Sequence, residues 1–242
     1  MNILEKQTIG EYVAKDFRTA SVFSKYGIDF CCKGNRTIEE ACSKKGMDFE
    51  LIEKEVNQLL EMKSDGAIDF QSWPIDLLVD YIEKTHHRYV EEKTPVLLAF
   101  LDKLCKVHGG AHPELFLINE LFIGCAGELA QHMKKEELIL FPFIKQMANA
   151  SRTDQDIVQP NFGTVGNPIA MMKHEHENEG DRFVKIAELT NNYTPPADAC
   201  NTYKVTFSML HEFEQDLHKH IHLENNILFV KAIEMEEKFS IS

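Results

Sequence analysis

From residue 73 onward, apolar residues recur at spacings of three and four through four long segments, the period of an amphipathic helix. The segments run 73–107, 113–149, 167–190, and from just after Thr194-Pro-Pro to about 237. His108-Gly-Gly ends the first; Pro113, Asn167-Pro168 and Thr194-Pro-Pro mark the starts of the others, and Ser72 stands where it could cap a helix entered through Pro74. No run alternates apolar and polar as a half-buried strand would. The pattern predicts an all-α protein whose main part, 73–242, is an antiparallel up-down four-helix bundle. Residues 1–63 predict a smaller helical unit, with capping boxes at Thr8–Glu11 and Thr37–Glu40 and a cap at Asp48. Residues 64–72 read as the linker.

Polar residues interrupt the apolar stripes of the second and fourth segments. One stripe is Leu121, Cys125, Glu128, His132, Glu136, Ile139, Phe143; the other is Phe213, Leu217, His220, Glu224, Ile227/Leu228. Burying a carboxylate or imidazole without a partner costs several kcal/mol, and a cation removes that cost. Both stripes carry the same motif: His132-Met-Lys-Lys-Glu136 followed by Leu-Ile-Leu-Phe, and His220-Ile-His-Leu-Glu224 followed by Ile-Leu-Phe. Residues i and i+4 share a helix face, so each His–Glu pair can aim at one point. His87 lies 45 residues before His132, and His176 lies 44 before His220. The chain thus repeats as two hairpins, each giving a His and then His-x-x-x-Glu. Four imidazoles and two carboxylates suit two cations bridged by Glu136 and Glu224, with iron matching the mixed N/O donors and positions left open for a small molecule.

Other polar residues compete for these roles. His176 aligns with Ile169, Met172 and Phe183, whereas His174 aligns with Asn178 and Asp181. On the first segment His86 sits nearer the centre of the stripe Val79, Ile82, Val90, Leu97, and His87 at its edge, so the pattern leaves both open. His218 and His222 fall on other faces as solvated or outer groups, His108 and His112 in a turn, and Glu128 and Glu175 are candidate hydrogen-bonding partners of ligands.

A net charge of −13 (26 Lys and Arg against 39 Asp and Glu) argues against nucleic acid and anionic membrane surfaces as partners. The first residues lack a signal-peptide core, and no apolar run of about 18 residues follows, which points to the cytoplasm and to six Cys present as thiols. Cys42, Cys105, Cys125 and Cys200 read as core residues. Cys31-Cys32 is different: adjacent cysteines do not readily close a disulfide, and the pair sits in a turn-like Tyr26-Gly-Ile-Asp-Phe-Cys31-Cys32-Lys-Gly34.

That segment, with His132-Met-x-Lys-Glu136-x-x-Ile-Leu-Phe-Pro, Glu175-His176-Glu, Thr194-Pro-Pro-x-x-Ala-Cys200 and His220-Ile-x-Leu-Glu224-Asn-Asn-x-Leu-Phe, resembles the hemerythrin-like di-iron proteins of iron–sulfur cluster repair over nearly the whole chain. The resemblance places the first ligand 21 residues before His108, at His87. It implies two iron ions per chain in a non-haem, oxo-bridged centre held by His87, His132, Glu136, His176, His220 and Glu224. It also implies repair of clusters damaged by nitric oxide or peroxide, by iron delivery, with damaged iron–sulfur proteins as clients. Four His rather than the five of oxygen carriers weakens a carrier role. Nitric oxide reduction, and sensing or sequestering of oxygen or nitric oxide, are the competing functions. Cys31-Cys32 would handle iron, nitric oxide or a client cluster, or link protomers into a homodimer.

Overall fold

The computed structural model describes residues 7–62 and 68–240, leaving 64–67 of the expected linker outside the described residues. The N-terminal unit is built from α1 (Ile9–Lys15), α2 (Ala20–Lys25), α3 (Ile38–Lys45) and α4 (Phe49–Glu61). Both expected capping boxes form: Thr8 with Glu11, and Thr37 with Glu40. Asp48 caps α4 through Leu51 N at 3.3 Å.

Four rods follow. The first is α5 (Ile75–Tyr81), a π-helical turn (Ile82–His87) and α6 (Arg88–His108). The second is α7 (Glu114–Lys135), a π turn (Glu136–Leu140) and α8 (Phe141–Thr153). The third is α9 (Gly166–Leu189), and the fourth is α10 (Asn201–Leu223), a π turn (Glu224–Leu228) and α11 (Phe229–Ser240). This is the expected all-α four-helix bundle; among the described residues an isolated bridge, Thr8 to Thr37, is the sole β feature.

Some local expectations need correction. Ser72 does not cap the first rod: its hydroxyl donates to the Asp69 carbonyl, while Asp69 caps a short 3₁₀ turn, Phe70–Ser72. The fourth rod starts at Asn201, because the two prolines and the residues after them stay in a turn. Cys200 precedes that rod as an exposed residue rather than a core one, whereas Cys42, Cys105 and Cys125 are buried. Ile139 is 50% exposed, and Leu140 and Phe141 are buried in its place. The π turn explains this last change: its extra residue advances the helix register, so positions after Glu136 no longer follow the simple 3.6 period.

The N-terminal unit shares a core with the rods. Ile9, Val13, Phe23 and Phe30 pack in one cluster with Phe213, Leu217 and Ile221. Gly10 and Gly34 let this happen at the tightest point: Gly10 N donates to Gly34 O at 2.7 Å, and a Cβ on Gly10 would lie 2.6 Å from Asn226 Oδ1. His222, expected on an outer or solvated face, is buried here, against Phe17 and Phe30 and bonded to Asn226 at 2.9 Å. Burial pushes its pKa down to about 3, so it packs as a neutral ring.

Candidate metal centre

The bundle brings the six expected residues together. His87, His132, Glu136, His176, His220 and Glu224 are each at most 3% exposed. They form two overlapping donor groups, His87–Glu136–His220–Glu224 and His132–Glu136–His176–Glu224, with ligand atoms in each within 4.8 Å of one another. Both groups contain both carboxylates, as a bridged pair of cations requires.

The π turns set this geometry. One ends at His87, and the other two begin at Glu136 and Glu224. His87 Nε2 lies 3.4 Å from Glu136 Oε2 and 3.9 Å from Glu224 Oε1. His86, which a regular helix wheel would have favoured, directs Nδ1 instead to Asp216 Oδ1 at 2.9 Å and stacks on His220.

Hydrogen bonds fix most of the imidazoles from behind. His87 Nδ1 donates to Glu137 Oε1 (2.9 Å), His132 Nδ1 to Glu175 Oε2 (2.8 Å) and His176 Nδ1 to Asn225 Oδ1 (3.0 Å). Those oxygens can only accept, so each Nδ1 carries the proton and each Nε2 is left with a lone pair facing inward. Glu175 therefore has the partner role the sequence allowed it, whereas Glu128 pairs with Arg182 at 2.7 Å. Asn225, Glu137 and Asp216 were not expected. Asn225 and Glu137 each directly follow a bridging-type Glu, and that adjacency was the one signal available.

The inward lone pairs make the centre a poor fit for anything but cations. The Nε2 atoms of His132 and His176 face each other at 3.0 Å. Both oxygens of Glu136, Oε2 of Glu224 and Nε2 of His87 are buried with no hydrogen-bond partner. Without a metal, protons must take up this demand: burial disfavours a charged His87, yet Glu136 and Glu224 push its pKa up to about 10. His132 is raised against its burial by Glu136, and Glu224 is held well below the usual carboxylate range, burial being outweighed by His220, His176 and His87. Two divalent cations would satisfy the same atoms without protonation. The residues fit a two-metal centre.

A helical bundle whose interior presents this donor set is a hemerythrin-type cation binder, and residues 79–232 match the family model of the hemerythrin HHE cation binding domain. Residues 5–60 match a second model, described as a domain of unknown function (DUF542). The chain is 36% identical over 231 residues to the iron–sulfur cluster repair protein YtfE of Pectobacterium atrosepticum, covering 95% of this chain and 98% of that one. It is 32% identical over 238 residues to that of Musicola paradisiaca, covering 96% and 98%. With an Escherichia coli YtfE it shares 34% identity over 234 residues, covering 94% and 96%. The chain belongs to this family of iron–sulfur cluster repair proteins.

Proposed function

We infer that the chain holds two iron ions between its four rods and restores iron–sulfur clusters damaged by nitric oxide or oxidants, acting as an iron donor. One observation carries the reading: two four-residue donor groups share both buried carboxylates, Glu136 and Glu224. His87 and His220 would hold one ion and His132 and His176 the other, with Glu136 and Glu224 bridging. Such a pair supplies redox-active ions with coordination positions left for an exogenous ligand.

The chain's own residues do the rest. Glu137, Glu175 and Asn225 keep three imidazoles in the tautomer that presents Nε2 inward. Phe141 and Phe229 stack on His87 and His176 and restrict their tilt. A cavity of about 280 Å³ between the second and third rods is lined by His132 and His176, with Glu128, Glu175 and Glu179 around it. Lys135 also lines this cavity and pairs with Glu175, and Arg182 pairs with Glu128 and Glu179, so the cavity offers one donor pair a charge-balanced path along which an ion can leave, as donation requires. The similarity to iron–sulfur cluster repair proteins supports the same task.

Metal analysis with Mössbauer spectroscopy tests the centre: two irons per chain are expected, and zinc or no metal sinks it. Incubating the loaded protein with a cluster-depleted client, with a chelator in solution, tests the task. Rebuilt clusters matched by iron lost from the donor support donation; nitrous oxide formed in a single turnover without iron loss would replace it with nitric oxide reduction.

A further inference from the structure

Asp29, Cys31 and Cys32 form a cluster of metal-binding side chains that the bundle centre does not use, and their ligand atoms lie within 4.8 Å of one another. Cys31 Sγ is 3.8 Å from Cys32 Sγ and 3.4 Å from Asp29 Oδ1. A tetrahedral ion with bonds of about 2.3 Å to sulfur and about 2.0 Å to oxygen holds two sulfurs about 3.8 Å apart, and a sulfur and an oxygen about 3.5 Å apart. Two of the three edges of such a site, sulfur to sulfur and Cys31 sulfur to Asp29 oxygen, already have this spacing, and the third is within 4.8 Å. Hydrogen bonds fix it there: Asp29 Oδ1 accepts from the backbone N of Cys31 and Cys32 at 3.1 and 2.9 Å, and Asn225 Nδ2 donates to the Cys31 carbonyl at 3.2 Å. Cys31 is buried, while Asp29 and Cys32 are half-buried, so a fourth position can be filled by water.

We propose that Asp29, Cys31 and Cys32 form a third cation site, which takes one thiophilic divalent ion through two thiolates and a carboxylate. Each thiol releases its proton to solvent as its sulfur–metal bond forms. Cys32 Sγ–H now donates to the His176 carbonyl at 3.4 Å, and that bond is given up when the ion binds. The site lies one amide away from the bundle centre, because Asn225 joins the Cys31 carbonyl to His176 Nδ1. The proposal stands on the loop geometry whether or not the centre holds iron.

The test is a cobalt(II) titration of the full chain after removal of bound metal by a chelator. A thiolate-to-cobalt charge-transfer band whose final intensity corresponds to one thiolate-bound cobalt per chain is expected, whatever cobalt the His/Glu centre also takes up, together with protection of Cys31 and Cys32 from iodoacetamide, read by peptide mass spectrometry. The His/Glu centre contains no sulfur and contributes nothing to that band, so failure of the two-iron reading is seen separately, in the iron count. Cys32→Ser should abolish the band. Asp29→Asn keeps an oxygen to accept the loop N–H bonds but removes the charge, and should weaken cobalt binding about tenfold or more with an unchanged circular dichroism spectrum. No band and equal alkylation of wild-type protein with and without cobalt would overturn the proposal. So would a band that survives in the Cys31→Ser/Cys32→Ser double variant, which would put the cobalt on another thiol.

Discussion

The two halves of the centre are built from equal donor sets in unequal surroundings. In the His87/His220 half, His87 stacks on Phe141, His86 stacks on His220, and His220 Nδ1 has no hydrogen-bond partner among the described residues. The His132/His176 half borders the cavity, is oriented by Glu175 and Asn225, and touches the N-terminal unit through Asn225 and Cys32. Both halves are buried and each has a phenylalanine stacked on one imidazole, Phe141 on His87 and Phe229 on His176; the cavity, and the amide that also grips a neighbouring loop, set the second half apart. If the repeat holds two ions as inferred above, the one beside the cavity is expected to exchange faster.

The largest effect should come from removing what the halves share. Glu136→Ala or Glu224→Ala is expected to leave neither ion stably bound, measured as iron per chain. Retention of one full ion in either variant would show that the halves do not depend on a common bridge.

Single-half variants come next. His176→Ala should leave the His87/His220 ion in place, and His220→Ala should leave the other, each lowering the count by one. In wild-type protein the ion beside the cavity should leave first under chelator; single-phase loss of both ions would remove the asymmetry.

Outer partners should have smaller effects. Asn225→Ala is expected to weaken the His132/His176 ion, and Glu137→Ala the His87/His220 ion, each by about 10- to 100-fold. Equal effects of both variants on both ions, followed by competition with a chelator, would break the comparison.

Two groups, His87 from one half and Glu175 from the other, give pH slopes of opposite sign in the metal-free chain. His87 has a folded pKa raised to about 10 from 6.5, so its contribution to stability is complete below about pH 6.5 and is lost as pH rises through 10. Glu175 is lowered from 4.5 to about 2, chiefly by His132 with help from Lys135, so its contribution is present above about pH 4.5 and is lost as pH falls toward 2. Denaturant unfolding across pH should show both slopes. Glu175→Gln should remove the acid one, and metal binding, which needs a neutral His87, should remove the alkaline one.

Much of this is legible in the sequence alone. Helix period, proline and glycine stops and cap residues gave the four rods and the N-terminal helices, because each signal is local. The duplicated His-x-x-x-Glu and the matched spacings of His87 and His176 pointed to six residues that the fold brings to one point, because i and i+4 share a face on any helix. The choice between His86 and His87 was not legible from the pattern. It turns on π turns, which add a residue to the helix without a sequence mark, and the same turns moved Ile139 outward and Leu140 inward. Nor could periodicity reveal that His222 packs beneath the N-terminal unit, that Asn225 joins His176 to the cysteine loop, or that one half of the centre lies beside an opening. Those facts depend on which surfaces meet. The sequence by itself determined which side chains each helix could present; tertiary packing decided which of them face a common point, which pack beneath the N-terminal unit and which border a cavity.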